Sequence, residues 1–237
     1  MIGIDYYKQL NLAASEVFDL STKDNTFIGA VQDLKTNLHY WETAISPYTQ
    51  SSIMLRHSLE ELDISCFQIL QGLYRGAFTS LRLALEMLCG AVYFSAHNIE
   101  YIEWQNGSQD IIWSKLICPD NGILSKRFSN AYFPELSEHT SSYHKKIKEL
   151  YRSLSEMVHG NNSTRQYNNP CLEINLMYQE QFSKNVEGFK DLANFILSLK
   201  FLKEIDIQNT PDLETYLIDS LENIEPIRVS LGGPKSE

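Results

Sequence analysis

No two cysteines in this chain stand close enough to form a CxxC pair; the four, Cys66, Cys89, Cys118 and Cys171, are scattered singly. A disulfide framework or a zinc site needs regularly spaced thiols, so neither is expected. Two of the four fall in apolar helical stretches, where Cys behaves as a small hydrophobe. The chain also lacks a Gly/Ser-rich or Pro-rich linker, because its seven prolines stand singly between periodic segments and read as helix punctuation. Long apolar runs are missing: the longest, Met87 to Phe94, is far short of the roughly 20 residues that cross a bilayer. The N-terminal stretch MIGIDYYKQL has no basic start followed by an apolar run, and a soluble, cytoplasmic protein with no membrane partner is the expectation. Positive charge is scarce. A formal charge of −10 argues against a broad basic surface that coats nucleic acid, since nonspecific affinity comes mainly from Lys and Arg neutralising phosphates. A local positive cleft is not excluded. Hairpin signals are almost absent, and there is neither an internal repeat nor a Gly-rich loop to cradle phosphates.

What is present is helical periodicity. With 237 residues and 43% hydrophobic content, the chain is long enough to bury a sizeable core. The expectation is an all-α, single-domain helical bundle over 1–237, built on long antiparallel helices, with N-terminal helices over 1–46, a core over 49–205, and a C-terminal helix and tail over 206–237. Residues Asp5 to Leu20 and Thr26 to Ile45 each carry an apolar stripe, the second through Val31, Leu34, Leu38 and Trp41. From Ile53 to Asn106 runs the longest helical block. Ile53, Leu59, Leu62, Phe67, Leu70 and Leu73 are expected to line one face before Gly72 to Gly76, and Phe78, Leu81, Leu85, Leu88 and Val92 continue beyond it. Those glycines make either a tight turn between antiparallel helices or a bend in one helix. Further helices are expected over Ser137 to His159, Phe182 to Phe201 and Pro211 to Asn223. Leu172 to Tyr178 alternates like a strand but has no evident partner, so helix or coil is expected there.

Two polar constellations break the apolar pattern. In LYRSLSEMVHGNN, from Leu150 to Asn162, Arg152 and His159 are seven residues apart. At about 100° per residue they lie roughly 20° from superposition on one helix face. Ser155 and Glu156 sit between them, so the face carries a cation, an imidazole, a hydroxyl and a carboxylate. Upstream, HKKIK offers Lys145, Lys146 and Lys148, which suit a phosphate backbone or are simply solvated. In the earlier helix, Arg75, Thr79, Arg82 and Glu86 form a polar ridge beside the apolar stripe. There Arg82 and Glu86 are either site residues or an ordinary i,i+4 pair worth about 0.2–0.5 kcal/mol. His139 and His144 face different directions, and no His/Asp/Glu set has metal-ligand spacing, so no metal and no cofactor are expected.

The Arg, six residues, His spacing resembles the motif of the HEPN superfamily, helical proteins in which these two side chains line a nucleic-acid-cutting cleft. The segment SLRLALEML resembles the Arg and Glu helix that precedes the Arg/His helix in several bacterial HEPN-like proteins. The resemblance implies a metal-independent endoribonuclease, a bacterial toxin or anti-phage defence effector, with Arg152 and His159 as catalytic residues. It implies RNA as substrate, a homodimer in which two motif helices face each other, and a neutralising or activating protein partner. The residue types fit. A neutral His accepts the ribose 2′-hydroxyl proton near pH 7, and Arg steadies the phosphorane with paired donors. Ser153 stands where active members often carry Asn, Asp or His. The competing expectation is a noncatalytic helical interaction or scaffold subunit, in which Arg82, Glu86, Arg152 and His159 form a buried network. The two readings differ in whether the four groups open onto a cleft or are sealed against each other, and Arg82 and Glu86 are expected to face Arg152 and His159 across a helix pair.

Overall fold

The computed structural model describes residues 3–23, 26–158, 172–207 and 210–235, the side chains of 26 and 27 excepted. Among them are eleven α-helices and no strand. They are α1 (Ile4–Ser21), α2 (Thr26–Ile45), α3 (Ile53–Leu70), α4 (Tyr74–Ala96), α5 (Asn98–Gln105), α6 (Trp113–Leu116), α7 (Lys126–Tyr132), α8 (Thr140–Val158), α9 (Leu176–Phe201), α10 (Pro211–Leu221) and α11 (Glu225–Ser230). The expected all-α fold is what the chain adopts. One hydrophobic core runs from Val31 in α2 to Ile227 in α11, so α2 and the C-terminal helices contribute to the same interior as α3, α4, α8 and α9.

The glycine segment resolves into a turn. Gly72 takes φ +74°, the left-handed conformation that closes a helix end, and the Leu73 N–H donates to Gln68 O at 2.9 Å. α3 and α4 therefore pack antiparallel. Their seam is made by serines and alanines at seven-residue steps. Ser51, in the 3₁₀ turn Gln50–Ser52, donates to Ala91 O at 2.7 Å, Ser58 to Ala84 O at 2.8 Å and Ser65 to Ala77 O at 2.7 Å. All six residues are buried. The small alanines let the backbones approach, and each buried hydroxyl finds a carbonyl at the distance that approach creates. This seam corrects the expected face of α3. Leu62 and Leu70 are buried as expected, but Phe67 is 55% and Leu73 40% exposed, because the side facing α4 holds Met54, Leu55, Ser58, Leu62 and Ser65. Phe67 meets the edge of Phe18 in α1, at 6.1 Å between rings.

α4 lies against α3, α8 and α9. It is long and apolar enough by composition to cross a membrane, yet 72% of the relevant window is buried within the protein, as in a core helix. α9 runs alongside α4, with Phe78 edge-on to Phe182 at 5.9 Å and Tyr74 beside Tyr178 at 5.2 Å. It begins six residues earlier than periodicity indicated, at Leu176, where Asn175 caps it by accepting the Tyr178 N–H at 3.3 Å. α8 runs the opposite way against α9: Tyr143 stacks on Phe195 at 3.6 Å, and Ser153 meets Asn185 at 3.1 Å. The C-terminal end of α8 thus arrives beside the Gly72 turn and the start of α9. At the other side of α9, Trp41 Nε1 donates to Asn194 Oδ1 at 3.0 Å, and Asn194 Nδ2 donates to Ser220 on α10 at 3.1 Å.

Candidate functional site on helix α8

The sequence of α8 sorts itself by period. Tyr143, Ile147, Leu150 and Leu154 are buried, His144, Tyr151 and Ser153 are half-buried beside them, and Lys145, Lys146, Lys148, Glu149 and Arg152 are exposed. On the outer side, Ser141, His144, Lys145, Lys148, Glu149 and Arg152 line an open trough along the helix. Arg152 is 83% exposed, and its Nε donates to Glu156 Oε1 at 3.3 Å. Lys145 stands 3.8 Å from Glu149 in the same i,i+4 relation. His144 turns inward, with Nε2 2.8 Å from Ile117 O. A carbonyl only accepts, so Nε2 is the donor in this contact.

Across the helix pair, Arg82 and Glu86 on α4 do face α8, but the residue they meet is Tyr151. Arg82 Nε donates to Glu86 Oε1 at 3.0 Å, Arg82 Nη2 donates to the Tyr151 hydroxyl, and that hydroxyl donates to Glu86 Oε1 at 3.0 Å. The guanidinium also lies over the Tyr151 ring at 4.5 Å, and Trp113 of α6 stacks on the ring at 3.9 Å and 8°. The Arg82 and Glu86 side chains are mostly covered, 24% and 18% exposed. Burial, reinforced by the Glu86 carboxylate, pushes the Tyr151 hydroxyl up to about 12, so it remains a donor at neutral pH.

Of the groups expected together, Arg152 and Glu156 share the exposed face. Ser155 does not join them: it is 9% exposed and donates to Tyr151 O in its own helix at 2.7 Å. Lys146 is drawn away from the trough to Asp191 on α9 at 2.7 Å and sits over the Tyr143 ring at 4.3 Å. Lys145 and Lys148 stay in the trough. His159 lies outside the described residues, as do the loop after it and Cys171. Ser153 joins an amide cluster between α8 and α9, donating to Asn185 Oδ1 and accepting from Gln181 Nε2 at 3.2 Å. Cys66, Cys89 and Cys118 are free thiols. Among the described residues no group of three or more His, Cys, Asp or Glu is placed to hold a metal ion.

Tyr151 is not singled out in the sequence, and His144 is weighed there only as a metal ligand beside His139. A signal for Tyr151 existed. It follows Ile147 by four residues and precedes Leu154 by three, on the apolar side, and a half-buried Tyr needs a partner for its hydroxyl. The Arg82/Glu86 ridge was the available partner. Comparison of the chain with protein-family models, curated proteins and solved structures finds no match to any of them, leaving the site's own residues to carry the functional argument.

Proposed function

We propose that this protein is a HEPN-type, metal-independent endoribonuclease whose working surface is the outer face of α8. The observation that carries the reading is the exposed trough in which Lys145, Lys148 and Arg152 outnumber Glu149, with Lys145 paired to Glu149 and Arg152 to Glu156, on a chain whose formal charge is −10. An acidic protein repels phosphate over most of its surface, so a cationic stripe favours one docking line. Arg152 supplies paired donors for phosphate oxygens, and His159, seven residues on in sequence, is the base for the 2′-hydroxyl. The 2′-oxygen attacks the adjacent phosphorus as its proton passes to His159, the bond to the 5′-oxygen breaks, that oxygen takes up a proton and leaves as a 5′-hydroxyl, and a 2′,3′-cyclic phosphate remains. On this reading the protein is a bacterial toxin or anti-phage effector, works as a homodimer and is held in check or activated by a protein partner.

The Arg82, Glu86 and Tyr151 cluster favours the second reading for those residues alone. Mostly covered and mutually paired, they act as packing groups of the kind an interaction subunit also needs. Arg152, left open, is what separates the two readings. Incubation with single-stranded RNA in excess chelator tests them: the nuclease reading expects strand scission that His159→Ala abolishes. Intact RNA, with binding of a protein partner unaffected by Arg152→Ala, supports the interaction subunit.

A further inference from the structure

We infer that Tyr151 is a positioning residue: through its bridge to Arg82 and Glu86 it fixes the rotation of α8 about its axis and so aims Arg152 at the bound phosphate. The inference rests on the RNA-cleaving reading of the α8 face. Three contacts from two other helices converge on this one side chain. Its hydroxyl accepts from Arg82 and donates to Glu86 at 3.0 Å, and its ring contacts both the Arg82 guanidinium and Trp113. A hydroxyl bonded on both sides cannot slide along α4 without losing a bond, and a ring stacked at 8° cannot roll without losing its face contact.

Arg152 follows in the chain, about 100° further round the helix. Consecutive residues of an α-helix keep that angle, so holding Tyr151 inward holds Arg152 outward. Among the described residues Arg152 bonds to Glu156, itself exposed on the same helix, and to no neighbouring element. Elsewhere α8 is held by Tyr143, Ile147, Leu150 and Leu154 in the core and by directed bonds from Tyr143 and Lys146 to Asp191, from His144 to Ile117 O and from Ser153 to Asn185, whereas Tyr151 ties α8 to α4 at the position before Arg152. Loss of the Tyr151 hydroxyl therefore loosens the direction of Arg152 more than it loosens the fold.

A thermodynamic cycle reads this directly. The affinity for a single-stranded 2′-O-methyl RNA, which binds but cannot be cleaved, is measured for wild type, Tyr151→Phe, Arg152→Ala and the double variant. If the clamp acts through Arg152, Tyr151→Phe weakens binding several-fold in the wild type and has no further effect once Arg152 is Ala. It also slows cleavage of the natural strand on the order of tenfold. Equal losses in both backgrounds, or a lowered melting temperature with unchanged affinity, overturn the proposal. Should Tyr151→Phe fail to fold, Arg82→Met leaves the ring and the Trp113 stack in place and serves in the same cycle. Coupling without cleavage would sink the nuclease reading and keep the clamp; cleavage with additive losses would do the reverse; no RNA binding by wild type overturns both.

Discussion

Burial and the Glu86 carboxylate raise the Tyr151 hydroxyl from its ordinary value near 10 to about 12, which ties this residue to the stability of the fold at high pH. The sign follows from which state binds the proton more tightly. Below the unfolded value both states are protonated and the full contribution is present; above it the unfolded chain ionises first, and stability falls as pH climbs toward the folded value. Tyr216, also lifted to about 12 by burial and by Asp33, acts in the same direction. Urea unfolding at about pH 9 and about pH 11 measures this, and Tyr151→Phe is expected to lose less stability over that interval than wild type. At neutral pH the clamp is intact and Arg152, its neighbour, stays in solvent.

The elements differ in how much of them the sequence shows. On α8 the apolar residues recur at three and four, so the helix and its buried face follow from hydrophobicity alone. On α3 the same reading put Phe67 on the inside, because serine counts as polar and Ser51, Ser58 and Ser65 look like the solvent side. The heptad step of those serines, matched by Ala77, Ala84 and Ala91, is visible only once the two helices are known to be antiparallel. Since the alanines are fully buried at the closest approach, Ala84→Leu forces the helices apart. A loss of about 1–3 kcal/mol is expected, seen as a lower urea midpoint with unchanged slope. The contrasting case is Gly188 in α9, where a β-carbon would meet no atom within 4 Å. Gly188→Ala is expected to raise stability by about 0.5–1 kcal/mol, because it restricts the unfolded chain without cost in the helix. A fall in melting temperature for that variant would contradict the environment described for α9.

At the scale of the whole molecule, the bundle determines which polar groups become neighbours. The sequence indicated that the Arg82/Glu86 ridge faces the motif helix, and α4 does pack on α8. It did not indicate that Tyr151 rather than Arg152 would be the residue met, because a sequence fixes the angles between residues on a helix but not the absolute rotation of that helix against its neighbour. That rotation is set on both sides of α8, by Tyr143 stacked on Phe195 and Lys146 drawn to Asp191 on α9 and by Tyr151 bridged to Arg82 and Glu86 on α4. The result is an acidic helical protein with its α8 cations turned outward. The chemistry of the RNA ends tests its proposed use most directly. Wild-type protein treated with chelator is incubated with a single-stranded RNA, and the product masses are determined beside those from His159→Ala and Arg152→Lys. The account predicts upstream fragments ending in a 2′,3′-cyclic phosphate from wild type, none from His159→Ala, and fewer from Arg152→Lys, whose ammonium lacks the planar paired donors. Undiminished cleavage by His159→Ala, or products ending in a free 3′-hydroxyl, would contradict it.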